Sequence, residues 1–308
     1  MEQSVWEESP EIQIVWKTIE EGESVTRLRT EDIRDITRTL RTYDKQLMKI
    51  TGGTLQDIAC RAVGINPKRV RPNQDQCLVA VIPVTWGRGI IKRFAQAVEG
   101  IASHLGFPSF VTEETDILGL GEAFERKASV ILLSDDRSFL AICPRRGRVI
   151  ENSDATGRGF ATALTMMKKG LRGEAVLVVG TGHVGRSAAV ALVGMGAHVS
   201  VYDVDQTSSR KLAKRIKKIL KREVTIEEDL DDSLRRHRIY FDASPSPGFI
   251  HSKHITTDTF IAAPGIPLGI SPEGQNKIKD RLLHDPLQIG VATMLMDALY
   301  GSKEKILP

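Results

Sequence analysis

Val176-Leu177-Val178-Val179-Gly180-Thr181-Gly182-His183-Val184-Gly185-Arg186 is the stretch on which the fold turns. A β-branched apolar run enters it, and Ser187-Ala188-Ala189-Val190-Ala191-Leu192 leaves it as helix-forming residues. Gly180, Gly182 and Gly185 make a G-x-G-x-x-G spacing. The spacing alone is a weak signal, but between a strand and a helix it predicts a dinucleotide-binding turn. Gly180 permits the sharp turn, Gly182 lets backbone N–H groups approach a pyrophosphate, and Gly185 lets helix and strand pack closely. Thr181, His183 and Val184 complete the turn, with His183 directed at phosphate or at solvent. The helix start adds positive partial charge where phosphates would sit. The next strand, from His198, ends in Asp203, 23 positions after Gly180. A carboxylate there bonds both ribose hydroxyls and repels a 2′-phosphate, so NAD is favoured over NADP. The same residues also suit a glycine-rich turn that packs a Rossmann-like domain without ligand. Asp205 reads as the cap of the following helix.

Beyond the turn, Ile239-Tyr240-Phe241-Asp242 and Phe260-Ile261-Ala262-Ala263 read as strands. Each feeds a Pro/Gly loop. Ser244 and Pro245 fall where such domains pass the adenosine side of the cofactor, and Pro264 and Gly265 where they line the nicotinamide. Simple turn roles fit both loops equally. Lys211 to Arg222 is a basic helix, and Val291 to Leu299 a closing helix that packs back onto the first domain.

Upstream, Thr30-Glu31-Asp32-Ile33 is a helix start with Thr30 as cap. Ile33, Ile36, Leu40, Tyr43, Leu47 and Ile50 then form one helical face, ended by Gly52-Gly53. Thr54 to Val63 is a second short helix. Leu78 to Val84 reads as a buried strand, Thr85 to Gly89 as a tight loop and Ile90 to Leu105 as a helix. Phe110-Val111-Thr112 and Val130-Ile131-Leu132-Leu133 are further strands, and Gly157 to Lys169 a helix. Strands alternating with helices predict a parallel α/β architecture. The expected organisation is an N-terminal extension over 1–24 carrying Trp6 and Trp16, and a helical plus α/β substrate domain over 25–170. A Rossmann dinucleotide-binding domain over 171–285 and a C-terminal helical segment over 286–308 follow.

Composition excludes several classes. Of 308 residues, 41% are hydrophobic and 27% charged, which is ordinary globular material. The net charge of +4 requires neither nucleic acid nor an anionic membrane. The basic residues of 210–222 read as a solvated helix face, because acidic Glu227 to Asp232 follow at once. Cys60, Cys77 and Cys143 give no disulfide framework or zinc cluster. His251 and His254 read as a surface pair, so no metal is expected. The acidic N-terminus is no signal peptide, and no apolar run nears ~18 residues. A cytoplasmic protein is expected.

Several segments together are more specific than the turn. They are Ile82-Pro83-Val84-Thr85 with Gly87, Gly89, Ile90 and Ile91; Phe110-Val111-Thr112 with Asp116; and Ser134-Asp135-Asp136 before an aromatic-containing strand. Pro264-Gly265-Ile266-Pro267 and Asp285-Pro286-Leu287 with Ile289-Gly290 and Ala292 to Leu295 come after the turn. In this order the chain, from about Leu28 to about Leu299, resembles the PylD-type pyrrolysine synthase family.

That resemblance implies NAD-dependent oxidation of the terminal amine of a 3-methyl-D-ornithyl-N6-L-lysine dipeptide. Ammonia is released and the semialdehyde cyclises to a pyrroline ring. It also implies a homodimer acting on a small molecule. Asp135 matches a family carboxylate facing the substrate, for amine recognition or proton handling. Leu28 matches an apolar residue of a helix closing over the substrate, and Thr85 a loop residue beside it. Trp86 stands where family members usually carry Ser, and Asp285 where they carry Glu. Those two departures keep open an NAD-dependent dehydrogenase of a related amine or amino-acid derivative. A non-catalytic NAD(H)-responsive binding protein is the reading from another class.

Overall fold

The computed structural model describes residues 28–70, 76–87 and 91–302. The expected extension over 1–24, with Trp6 and Trp16, lies outside the described residues, as do Gly89 and Ile90.

Two sheets are present. The first has the order β2-β1-β3-β4-β5, with β1 Val79–Ile82, β2 Ser109–Val111, β3 Val130–Ser134, β4 Phe139–Cys143 and β5 Arg148–Glu151. Strand β1 runs parallel to β2 and β3, β4 returns antiparallel to β3, and β5 turns again to run antiparallel to β4. The first sheet is therefore mixed, where the alternation of strands with helices predicted parallel strands. Only Asp135 to Ser138 separate β3 from β4, too few residues for a crossover, so the chain must form a hairpin. The Asp135 carboxylate shapes that turn by accepting the N–H groups of Arg137 and Ser138, each at 2.8 Å.

The N-terminal helices are α1 Thr30–Ile33, α2 Ile36–Thr51 and α3 Leu55–Ala62. The helix expected to run unbroken from Thr30 is interrupted at Arg34 and Asp35. Thr30 is its first helical residue rather than its cap. The Asp32 carboxylate reaches back to the Arg29 N–H at 2.8 Å and serves that end instead. Thr54, expected as the first residue of the second short helix, caps α3 instead, accepting from the Asp57 N–H at 3.2 Å. Helices α4 Phe94–His104 and α5 Asp116–Glu125 flank the first sheet. Then α6 Asn152–Lys168 leads to the second sheet, starting five residues before the expected Gly157.

The second sheet is wholly parallel, in the order β11-β10-β9-β6-β7-β8. Its strands are β6 Ala175–Val179, β7 His198–Tyr202, β8 Thr225–Ile226, β9 Ile239–Asp242, β10 Phe260–Ala262 and β11 Leu282–Leu283. This is the doubly wound order of a Rossmann sheet, and its direction reverses between β6 and β9. Along β6 the side chains alternate. Val176 and Val178 join the core shared with the first sheet, while Leu177 and Val179 join a second cluster on the far face. Helices α7 His183–Gly194, α8 Gln206–Leu220, α9 Leu230–Arg236 and α10 Pro272–Ile278 cover this sheet. On α8, Leu212 and Ile216 are buried and the cations face outward.

The last helix, α11 Gln288–Tyr300, is buried along most of its length. It returns to pack on α6, α3 and α4. Asp297 on α11 is clasped by Arg148 and by Arg158, the latter at 2.5 Å. One apolar core therefore runs continuously through both sheets' inner faces.

Candidate active site between the two sheets

The glycine turn sits at the carboxyl end of β6, beside the reversal of strand direction. Gly180 has φ +90°, and a Cβ there would meet the Ala243 carbonyl at 2.9 Å and the Ser244 nitrogen at 3.0 Å. A Cβ on Gly185 would lie 1.8 Å from the Gly180 oxygen. Both positions are closed to side chains. Gly182 is different: a Cβ there would meet nothing within 4 Å. The space beside it is open, and it lies against the exposed start of α7, where Gly182 is the N-cap and His183 the first helical residue. First-turn N–H groups have no intrahelical partner, so this is a site for an anionic group.

Thr181 is buried and turns inward. Its N–H and hydroxyl reach Asp203 Oδ2 at 2.6 and 2.9 Å. Asp203 Oδ1 accepts the Asp205 N–H at 2.9 Å. The acid expected to hold a ribose fastens the turn to the end of β7, with a lone pair to spare on Oδ1. Asp205 caps α8 through the Thr207 N–H at 2.9 Å, as its sequence position suggests. The open face at Gly182 and the carboxylate at Asp203 fit the two ends of an adenosine diphosphate moiety.

The two Pro/Gly loops after β9 and β10 pack on each other. A Cβ on Gly265 would lie 2.4 Å from the Ser244 oxygen. The buried Asp242 carboxylate ties these loops together, accepting the Ser244 N–H at 3.0 Å and the Gly269 N–H at 3.1 Å. Burial pushes its pKa up to about 7. Pro245 faces a cleft of about 540 Å3, whereas Pro264 is half-buried and not among the residues that line it. Arg29 and Asp32 close this cleft from α1, opposite Pro245, Pro267, His284 and Pro286.

Asp285 lies behind the cleft wall and is 3% exposed. Its Oδ1 accepts the Leu287 N–H at 3.0 Å and the Ile289 N–H at 3.4 Å, and its Oδ2 accepts the Tyr43 hydroxyl. Burial raises the pKa values of both Asp285 and Tyr43. Asp285 thus joins α2 to the start of α11. Leu28 is half-buried, one residue before Arg29.

Thr85, Trp86 and Asp135 gather elsewhere, at the carboxyl end of the first sheet. The Thr85 N–H is 2.9 Å from Asp116 Oδ1, and its hydroxyl donates to Oδ2 of the same residue. A Cβ on Gly87 would lie 2.6 Å from the Asp136 carboxylate, so the Thr85 loop and the Asp135 turn are neighbours. Trp86 is 79% exposed. None of these three residues lines the cleft of Arg29 and His284.

The pairing of His251 and His254 at the surface is corrected. His254 is buried and its Nε2 is 2.8 Å from Asp231. Among the described residues no group of three or more His, Cys, Asp or Glu could hold a metal ion. No helix among them is long and apolar enough to cross a membrane.

Sequence reasoning missed Arg29, Asp32, Tyr43 and His284. Its one available signal was Asp242, an acid closing an apolar strand. His284 follows a strand of only two residues, which leaves no periodicity to read.

Comparison with known proteins decides the family. Residues 32–150 match the description "Pyrrolysine biosynthesis protein PylD, N-terminal domain". The chain is 32% identical over 272 residues to pyrrolysine synthase of Methanosarcina acetivorans, covering 88% of this chain and 99% of that one. The chain belongs to the pyrrolysine synthase family. The enzyme of Methanosarcina barkeri is 31% identical over 272 residues, covering 88% of this chain and 97% of its own. Residues 149–260 match "Alanine dehydrogenase/PNT, C-terminal domain".

Among solved structures, quinate dehydrogenase from Corynebacterium glutamicum in complex with NAD superposes with a TM-score of 0.52 at 16% identity. That match covers 73% of this chain and 94% of that one. The 5-ketofructose reductase of Gluconobacter sp. strain CHM43 gives 0.51 at 16%, covering 73% and 93%. These two share the fold. This member of the pyrrolysine synthase family is a dehydrogenase that binds NAD(P) on its Rossmann sheet and acts on a small molecule.

Proposed function

We propose that the chain oxidises the terminal amine of a 3-methyl-D-ornithyl-N6-L-lysine dipeptide with NAD⁺, releasing ammonia and closing a pyrroline ring. The observation that carries this reading is the likeness to two pyrrolysine synthases over nearly their whole length. When bound, NAD⁺ supplies the hydride acceptor. The Asp203 carboxylate selects NAD over NADP by repelling a 2′-phosphate.

An amine can lose hydride only as the neutral base, yet its reference pKa is about 10.4. The site must remove that proton, and a cleft with apolar walls disfavours the ammonium by desolvation. Cleft proline and leucine side chains at Pro245, Pro267 and Leu268 provide such walls. Asp135 recognises a substrate ammonium, while Leu28 and Thr85 border the substrate. Asp285 fixes the segment that carries His284 and Pro286. Once the aldehyde exists, attack by the ornithyl α-amine is intramolecular, with effective molarities of roughly 10⁵–10⁸ M for well-oriented groups. A homodimer is the expected assembly.

The exposed indole of Trp86 supports a second reading, dehydrogenation of a related amine. An indole there offers a ligand an apolar surface where the family usually offers a hydroxyl. Incubation with NAD⁺ and the synthetic dipeptide, followed by mass spectrometry, separates the two. A ring-closed product with stoichiometric NADH is expected. NADH formation only with other ornithyl-lysine analogues would favour the second reading and overturn the first.

A further inference from the structure

We propose that His284 accepts, through Nε2, the proton of the substrate ammonium that is to be oxidised. The proposal rests on the functional reading above and names a catalytic group for it. His284 stands just past the carboxyl end of β11, beside the loops expected to flank the nicotinamide, and it lines the cleft between α1 and the Rossmann sheet.

Its ring is anchored. Nδ1 lies 2.6 Å from the Ala263 carbonyl oxygen. A carbonyl can only accept, so Nδ1 carries the hydrogen and the neutral ring keeps its lone pair on Nε2. Among the described residues no hydrogen bond reaches Nε2. The histidine is half-buried, with one nitrogen committed to the protein and the other left for the cleft.

The surrounding charges divide the roles. From α1, Arg29 and Asp32 face the same cleft. Behind His284 are Asp285 and its partner Tyr43 on α2. Beneath the neighbouring loops is Asp242. Neither buried carboxylate is free to act: Asp285 already holds one hydroxyl and two N–H groups, and Asp242 holds two N–H groups. Asp32 has one oxygen committed to the Arg29 N–H. Asp32 is exposed to solvent, whereas His284 is half-buried and offers the cleft a lone pair that no hydrogen bond among the described residues takes up.

The proton balance closes. Nε2 takes one proton from R–CH2–NH3⁺, giving imidazolium and R–CH2–NH2. A hydride leaves the CH2 for NAD⁺ as the nitrogen lone pair forms the C=N bond. Water then adds to the carbon of R–CH=NH2⁺, and the nitrogen leaves as NH4⁺ with both hydrogens of that water, giving the aldehyde. The imidazolium releases its proton to solvent, so each turnover yields one NADH, one NH4⁺ and one H⁺.

The test uses His284→Asn, whose side-chain amide can still donate to the Ala263 carbonyl. With the dipeptide and NAD⁺, kcat is expected to fall about 100-fold or more, and the acidic limb of the kcat/KM pH profile to vanish. NADH affinity should stay within about twofold, because no cofactor contact is removed. A kcat within about fivefold of wild type, or a retained acidic limb, overturns the proposal.

A second measurement does not depend on turnover. Long-range proton–nitrogen spectra of protein carrying isotope-labelled histidine should show His284 as the Nδ1–H tautomer. Its Nε2 signal should move when unmethylated ornithyl-lysine is added with NADH. An Nε2–H tautomer, or an unmoved signal, overturns the role of His284. Wild-type protein that shows the moved signal yet makes no NADH supports that role and sinks the reading of the function instead.

Discussion

The Rossmann sheet and the first sheet present their carboxyl ends differently. In the Rossmann sheet every strand runs the same way, so all six carboxyl ends open on one edge. The cradle proposed for the cofactor there is made of backbone: a turn at Gly180, a helix start after Gly182 and two interlocked loops. In the first sheet β4 alone runs back, so four of the five strands end on the edge that holds Thr85 and Asp135. That edge is furnished by side chains on short turns. A site built from backbone depends on where side chains are forbidden, and a site built from side chains depends on which atoms remain unpaired. Substitutions in the two regions should therefore fail in different ways.

The largest effect is expected for Gly185→Ala. Its methyl would sit 1.8 Å from the Gly180 oxygen, with backbone rather than a flexible side chain in the way. A loss of roughly 3 kcal/mol is expected, the upper end of what overpacking costs. Chemical denaturation measures it, and an unchanged midpoint would break the account of a backbone-built cradle.

Next comes Asp135→Asn. The amide oxygen still accepts from Arg137 and Ser138, so the turn and NADH affinity should survive. The ammonium loses its counter-charge, and kcat/KM should fall about 100-fold. A fall carried by KM marks Asp135 as an anchor, and one carried by kcat marks it as a proton-handling group. Unchanged kinetics would remove it from the site.

Gly182→Ala sharpens the contrast with Gly185. Its methyl meets nothing within 4 Å, so the melting temperature should hold. It enters the space assigned to the pyrophosphate, so NADH affinity should drop by about tenfold, near 1.4 kcal/mol. Fluorescence titration reads the affinity, and full NADH binding would contradict the assignment.

The smallest effect is one of pH. Asp242 has a folded-state pKa of about 7, against about 3.9 in an unfolded chain. Between these values the folded state holds a proton that the unfolded state has released. Stability from this group is therefore present below the lower value and lost as pH rises through the upper one. Wild-type melting temperature should decline across that window more than that of Asp242→Asn. Parallel curves for the two proteins would contradict the burial argument.

What the sequence revealed follows the same division. The strand, turn, helix and acid from Val176 to Asp203 were legible because each glycine answers a steric demand set within a few residues. The interrupted helix at Arg34 was not, since the apolar spacing from Ile33 to Ile50 carries straight through the break. The hairpin after Ser134 was hidden because an acid at a strand end reads first as a ligand, and the turn that Asp135 Oδ1 shapes through the Arg137 and Ser138 N–H groups shows only in the structure. His284 was invisible for another reason. Its role depends on the Ala263 carbonyl, 21 residues away, and that contact exists only once β10 and β11 have paired.

The central claim is that the carbon bearing the terminal amine gives its hydrogen to the dinucleotide on the Rossmann sheet. It is tested most directly with dipeptide carrying deuterium at that carbon, NAD⁺ and mass analysis of the reduced cofactor. The account predicts reduced cofactor carrying one deuterium, formed together with the ring-closed product. Reduced cofactor free of deuterium, or ring closure without any reduced cofactor, would contradict it.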